Sequence, residues 1–88
     1  MAFGGEGMGF INDFEKIASV DSEILREKLA NISVETIVKA SIGTAPSNAD
    51  YLATVFDSID FTKERDIIGP VRIEEVEAAQ QEVIKALN

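Results

Sequence analysis

The sequence contains no cysteine, no histidine and no tryptophan, and only two of its 88 residues are prolines. The lack of cysteine excludes disulfides and thiolate metal sites. The lack of histidine removes the most common general base and the most common metal ligand. Only carboxylates remain as metal ligands, and no residue pattern indicates catalysis. We therefore expect no catalytic residues, no metal, no other cofactor and no enzymatic activity.

Basic residues are scarce as well. The chain has 8 Lys and Arg against 16 Asp and Glu, which gives a formal charge of −8. An acidic protein is repelled by nucleic acid and by anionic membrane surfaces. No apolar run has the length needed to cross a bilayer, and the first residues lack the pattern of a signal peptide. We expect a cytoplasmic protein with no nucleic-acid partner and no direct membrane insertion.

Glycine is concentrated at one end of the chain. Residues 1–9 hold four of the 6 glycines and one charged residue, which is typical of a flexible tail. Gly4, Gly5, Gly7 and Gly9 do not have the spacing of a phosphate-binding loop, and no strand can precede them. The sequence predicts a flexible Gly-rich tail over 1–9 and a single helical domain over 10–88.

From Phe10 onward the apolar residues recur at three-and-four spacing, which is the period of an amphipathic helix. No stretch shows the sustained alternation of a strand. The pattern predicts helices over about residues 10–19, 22–31, 34–42, 47–59, 61–68 and 73–87, with N-caps at Asp21 or Ser22, Ser33, Ser47 and Asp60. Because these helices are short, we expect an all-α, compact domain of the irregular or superhelical kind.

The apolar stripes define a predicted core. Its members are Phe10, Phe14, Ile17, Ala18, Leu25, Leu29, Ile32, Val34, Ile37, Val38, Ile42, Tyr51, Leu52, Val55, Phe56, Ile59, Phe61, Ile67, Ile68, Ile73, Val76, Val83, Ile84 and Leu87. On the opposite side of the third helix, Glu35 and Lys39 have the i, i+4 spacing of an ion pair.

The most specific local signal is Gly69-Pro70, because two successive residues oppose continuation of a helix. We expect Gly69 to end one helix and Pro70 to direct the chain into the next, so that both form a structural junction. Lys63, Arg65 and Arg72 lie within ten positions around it, interleaved with acidic residues. Such a mixed-charge surface favours a weak, salt-dependent protein partner. For Lys63 and Arg65 the alternative is the solvated face of a short helix.

The run Gly69-Pro70-Val71-Arg72-Ile73, followed by Glu75-Val76-Glu77-Ala78-Ala79-Gln80, resembles a segment in the C-terminal, torque-generating domain of the flagellar motor switch protein FliG. Upstream residues from Phe14-Glu15 to Gly43-Thr44-Ala45 are similar to the opening helices of that domain. The resemblance covers about residues 10–82.

This resemblance implies an armadillo-like helical fold like that of the FliG C-terminal domain. It also implies a non-enzymatic rotor protein, at the cytoplasmic face of the inner membrane in the flagellar basal body. Its partners would be the stator cytoplasmic loop or other rotor switch proteins, with self-association in a ring. Carried over residue by residue, the family's arginine is Arg72 and its acidic pair falls on Lys63 and Glu64, with Arg65 nearby. We take Arg72, Glu64, Lys63 and Arg65 as candidate protein-binding residues.

Two alternatives remain open. In the first, the chain is a FliG-like helical adaptor with a non-motor partner, because Lys63 reverses the sign of a family acid and Ile42 replaces a family lysine. In the second, Asp57-Ser58-Ile59 resembles the serine context of an acyl carrier protein. A carrier serine begins a long helix, whereas Ser58 is expected at a helix C-terminus or in a turn.

Overall fold

The computed structural model describes residues 13–88, and the regular structure in this part of the chain is entirely helical. A 3-10 helix is followed by five α-helices: 3-10 Phe14–Ser19, α1 Ser22–Lys28, α2 Val34–Ile42, α3 Pro46–Val55, α4 Phe61–Ile68 and α5 Ile73–Leu87. The predicted all-α class is confirmed for these residues, while the armadillo-like stacking stays a prediction. The predicted tail over 1–9 and the position of Phe10 lie outside the described residues.

The centre of the fold is the packing of α2 along α5, the most extensive contact between helices in the described chain. Around this pair, α3 and α4 pack on α2, while the 3-10 helix and α1 contact both α3 and α5. The buried core draws on every helix: Phe14, Ile17, Val20, Leu25, Leu29, Ile37, Val38, Ala40, Leu52, Val55, Phe61, Ala79, Val83, Ile84 and Leu87. Most of the predicted core is therefore confirmed.

Side chains cap three of the helices as the sequence predicts. Asp21 accepts a hydrogen bond from the N–H of Glu23 at the start of α1. Ser33 accepts from Thr36 in α2, and Asp60 accepts from Lys63 in α4. Each cap satisfies a backbone donor that has no partner inside its own helix.

The predicted cap of α3 is wrong. Ala45 is the N-cap and Pro46 the first helical residue, so Ser47 lies inside the first turn. Proline suits this position, because its fixed φ matches the helix and its missing N–H would have had no helical partner. Ala45 has no capping side chain.

Glu15, on the 3-10 helix, accepts hydrogen bonds from residues at the start of α3. Its carboxylate accepts hydrogen bonds from the N–H of Ala45 at 3.3 Å, from Thr44 Oγ1 at 3.0 Å and from Asn48 Nδ2 at 3.0 Å. Asn48 is buried, and its amide also donates to Thr44 Oγ1 and to the carbonyl of Glu15. This network fixes the 3-10 helix against the α2–α3 connection.

Two further side chains tie α1 and the segment before it to α3. The Tyr51 hydroxyl donates to the carbonyl of Val20, and Arg26 Nε donates to the carbonyl of Val55 at 3.1 Å. Burial, followed by the charge of Asp21, raises the pKa of Tyr51. The Arg26 contact places a cation at the C-terminal end of α3, where the helix dipole favours it.

Several predicted core residues are exposed instead: Ala18, Val34, Ile42, Ile67 and Ile73. The last four lie at or near helix ends. The middle of a helix packs on its neighbour, but a side chain at the end can lie beyond that neighbour and remain exposed. Two predicted helices also end early, α1 at Lys28 and α3 at Val55. The apolar residues beyond these ends, including Leu29 and Ile59, still reach the core from turns.

Candidate protein-interaction surfaces

Gly69 and Pro70 lie in the link between α4 and α5. Gly69 is the C-cap of α4, with φ of +75°, and its N–H donates to the carbonyl of Arg65 at 2.9 Å. With ψ of −161° as well, this backbone conformation is one that glycine adopts without a Cβ penalty and that other residues rarely adopt. After Pro70 and Val71, the backbone is extended at Arg72, which is the N-cap of α5. The junction thus sets the direction of α5 relative to α4.

Glu75 joins the junction to α2. Its carboxylate accepts from the N–H of Arg72 at 3.2 Å and from Lys39 Nζ at 3.3 Å, while Lys39 also pairs with Glu35 at 2.8 Å. The backbone bond from Arg72, followed by Lys39, lowers the pKa of Glu75. Glu35 and then Glu75 raise the pKa of Lys39. The predicted pair of Glu35 with Lys39 is confirmed.

Further along α5, two residues of the motif contact the C-terminal end of α2. Gln80 Nε2 donates to the carbonyl of Ala40 at 3.0 Å. A Cβ placed on Gly43 would lie 2.5 Å from Val76 Cγ1, so only glycine allows this close approach without a shift. The residues at 75, 76 and 80 therefore hold α5 on α2. Sequence reasoning did not predict these contacts.

The four candidate binding residues do not form one cluster. Lys63 and Arg72 are exposed, and neither side chain makes a hydrogen bond or ion pair within residues 13–88. Glu64 is half-buried. Arg65 Nη2 donates to Ser41 Oγ at 3.3 Å, on the side of α4 that faces α2. Lys63 and Arg65 are two positions apart on one helix and thus point to different sides.

Two isoleucines that the sequence assigned to the core flank the junction on the surface. Ile67 is 67 % exposed and Ile73 is 71 % exposed, the highest values among the large apolar residues that the structure describes. Ile67 follows Lys63 by one helical turn, and Ile73 follows Arg72 directly. We call Lys63, Ile67, Arg72 and Ile73 the junction residues. They combine two exposed apolar groups with two exposed cations: the Lys63 side chain has no partner within residues 13–88, and the Arg72 side chain has only the electrostatic attraction of Glu75.

A second surface lies between α3 and α4, above the C-terminal end of α2. It is an open groove of about 440 Å³. Pro46, Ala49 and Ala53 line its α3 side, and Phe61 and Arg65 line its α4 side. Nothing in the sequence marked this groove, because its walls come from separate helices whose spacing depends on the whole fold.

Other features bear on the alternatives. Ser58 is exposed in the turn between α3 and α4, as expected, and does not begin a helix. Within the part of the chain that the structure describes, no helix has both the length and the apolar character needed to traverse a bilayer. No group of three or more acidic, cysteine or histidine side chains in that part is placed to hold a metal ion.

Comparisons with models of known families, with curated proteins and with solved structures gave no match to this chain.

Proposed function

We propose that the protein is a non-enzymatic component of the bacterial flagellar motor switch, acting through protein–protein contacts. Its partners are the stator cytoplasmic loop or other rotor proteins, and its place is the cytoplasmic face of the inner membrane in the basal body, where copies associate in a ring. The proposal is supported by the resemblance of residues 69–80 to the motor switch family and by the exposed charges next to that segment.

One observation carries this proposal. Within the motif-like segment, Glu75, Val76 and Gln80 are used in the contact of α5 with α2, whereas the Arg72 side chain makes no bond within residues 13–88. The backbone of Arg72 is nevertheless held by its bond to Glu75. An exposed cation that makes no hydrogen bond or ion pair within residues 13–88, and that is attracted there only by the charge of Glu75, is suited to contact another protein, especially next to exposed Ile73.

The test is complementation of a strain of the source organism that lacks the gene. Three chains are compared: the intact protein, Arg72→Glu and Lys28→Glu. Lys28 is a matched control, because it is an exposed cation of α1, outside the α4–α5 junction segment, with no side-chain partner within residues 13–88. We expect the intact chain and Lys28→Glu to restore swimming, and Arg72→Glu to restore filaments with reduced swimming speed.

Circular dichroism of the purified variants checks that Arg72→Glu keeps the helical content of the intact protein. Loss of helical content would mean that Arg72 acts in folding rather than in binding. A deletion strain that swims and assembles filaments normally, with no second copy of the gene, would contradict the rotor function.

That last outcome would favour a second function, a helical adaptor with a non-motor partner. Ile42 and Lys63 favour it, since they stand where the family pattern has a lysine and an acid. Affinity capture with the intact chain, and with Arg72→Glu for comparison, would then identify partners that depend on the junction residues.

A further inference from the structure

The groove between α3 and α4 has the form of a site for a partner helix. Both walls are helical, and Ile42, at the end of α2, contributes an apolar side chain that is 38 % exposed. On the α3 side, Pro46, Ala49 and Ala53 recur at three-and-four spacing. Their small size lets a second helix approach closely, because the distance between packed helices depends on the side chains at the contact.

The two walls carry opposite charges. Asp50 lies on the α3 wall and Arg65 on the α4 wall, and both are exposed. The Asp50 carboxylate has no ion-pair partner within residues 13–88. Arg65 is oriented by its bond to Ser41, which uses one of its five N–H donors. Between the anionic and the cationic wall, Ile42 supplies the apolar part of a floor that also includes Ser41 and Thr44.

We propose that this groove binds an amphipathic helix of another protein, with apolar residues against Ile42, Pro46 and Ala49, an acidic flank toward Arg65 and a basic flank toward Asp50. This mode of binding lays the apolar face of a helix into a groove, and the charges at the edges set its direction. The site is separate from the junction residues, since Arg65 and Lys63 point to different sides of α4.

The opposite charges allow a specific test. If a bound helix is reversed end for end while its apolar face stays in the groove, each flank faces the opposite wall. A helix with glutamates on one flank and lysines on the other should therefore bind the native groove in one direction. It should bind a groove with exchanged charges in the reverse direction. The probe is a fluorescein-labelled peptide of about 18 residues with a leucine stripe and these two flanks, and binding is followed by fluorescence anisotropy at physiological salt.

We expect Arg65→Glu and Asp50→Lys each to weaken binding of this peptide about tenfold. The double variant Asp50→Lys/Arg65→Glu should restore affinity to within about twofold of the native protein. Its formal charge equals that of the native chain, so a change in overall charge cannot explain the restoration. Restored binding also shows that the fold tolerates glutamate at position 65 in the double variant.

Matched controls lie on the same helix. Lys63→Glu makes the same charge reversal as the Arg65 variant. Ile42→Ser, a further groove variant, removes the exposed isoleucine of the groove and should weaken binding, and Ile67→Ser is its control because it removes an exposed isoleucine outside the groove. We expect only the groove variants to weaken binding.

Four results would overturn the proposal: no binding to the native protein, a double variant as weak as the single variants, controls that weaken binding equally, or self-association that the peptide displaces. The last would make the groove an interface between copies of this chain. None of these results depends on swimming, so the groove and the rotor function are tested independently.

Discussion

At the scale of single residues, two glycines have different physical reasons for being glycine. At Gly43 the limit is space, since an added Cβ would lie 2.5 Å from Val76 Cγ1. At Gly69 the limit is the backbone, because φ is +75° while nothing lies within 4 Å of an added Cβ. The sequence predicts both glycines as helix ends, but only the structure separates the two causes.

These causes predict different responses to substitution. Gly43→Ala should lower the free energy of unfolding by about 1–3 kcal/mol through overpacking. Gly69→Ala should lower it by about 1–2 kcal/mol through backbone strain. Adding Val76→Ala should recover part of the loss at Gly43 and none of the loss at Gly69, as measured by urea unfolding in a double-mutant cycle. Equal coupling of Val76 to both glycines would contradict this assignment.

Glu75 gives a prediction about pH. Its pKa is lowered from 4.5, chiefly by the Arg72 N–H and then by Lys39. A lowered pKa means that the carboxylate stabilises the folded state above pH 4.5, and this contribution is lost as the pH falls through the folded-state value. Glu75→Gln should therefore unfold at a lower urea concentration than the native protein at pH 7. This difference between the two midpoints should shrink below pH 4.5.

The matching effect at high pH comes from Lys39, whose pKa is raised from 10.5. The contribution of Lys39 to stability is present below pH 10.5 and is lost as the pH rises through the folded-state pKa.

Glu75 and Lys39 are both near the surface, so added salt should reduce the difference in unfolding midpoint between the native protein and Glu75→Gln at pH 7. A difference between native and Glu75→Gln proteins that persists unchanged at pH 3 would contradict the role of the charge.

At the scale of elements, α3 depends on a side chain from outside the helix. Glu15 accepts the Ala45 N–H in a helix whose N-cap has no capping side chain. Glu15→Ala should lower the free energy of unfolding by about 1 kcal/mol, a typical cost of losing a cap. Glu15→Gln keeps an oxygen that can accept the Ala45 N–H, so it should cost less than Glu15→Ala. Thermal unfolding of the three proteins measures the difference, and equal costs for the two substitutions would exclude the capping role.

The helices themselves were largely predictable, because their starts are local chemistry. Asp21, Ser33 and Asp60 cap helices as their sequence context predicts. The predicted start of α3 was wrong because its capping group comes from a distant segment. The predicted end of α3 was wrong because the apolar pattern continues into the turn after Val55. The exposure of Ile67 and Ile73 could not be predicted, because periodicity identifies an apolar face without showing whether another helix covers its end.

At the scale of the whole molecule, the candidate sites were less predictable than the fold. Lys63, Glu64 and Arg65 are neighbours in sequence, and only the packing of α4 on α2 shows that Arg65 faces Ser41 while Lys63 faces away. The groove joins Asp50 and Arg65 from different helices, a pairing that no local pattern contains. Side-chain direction on a short helix depends on its neighbours, so the function of a charged residue there follows from the tertiary structure.

The overall charge of the chain leads to the last prediction. With a formal charge of −8, the folded molecule repels itself, and the only ion pairs within residues 13–88 are those of Lys39 with Glu35 and Glu75. Screening by salt should therefore reduce the repulsion among the acidic side chains more than the attraction within the ion pairs. Raising sodium chloride from about 0.02 M to 0.5 M should raise the Tm in thermal unfolding at pH 7.

Glu82→Lys, at an exposed position of α5, changes the formal charge from −8 to −6 and should reduce this rise in Tm. Glu82→Gln serves as the intermediate, because it removes one negative charge without adding a positive one. A Tm that falls with salt would mean that the Lys39 pairs outweigh the summed repulsion of the acidic surface. In that case, Glu75→Gln should abolish part of the salt dependence and Glu82→Lys should leave it unchanged.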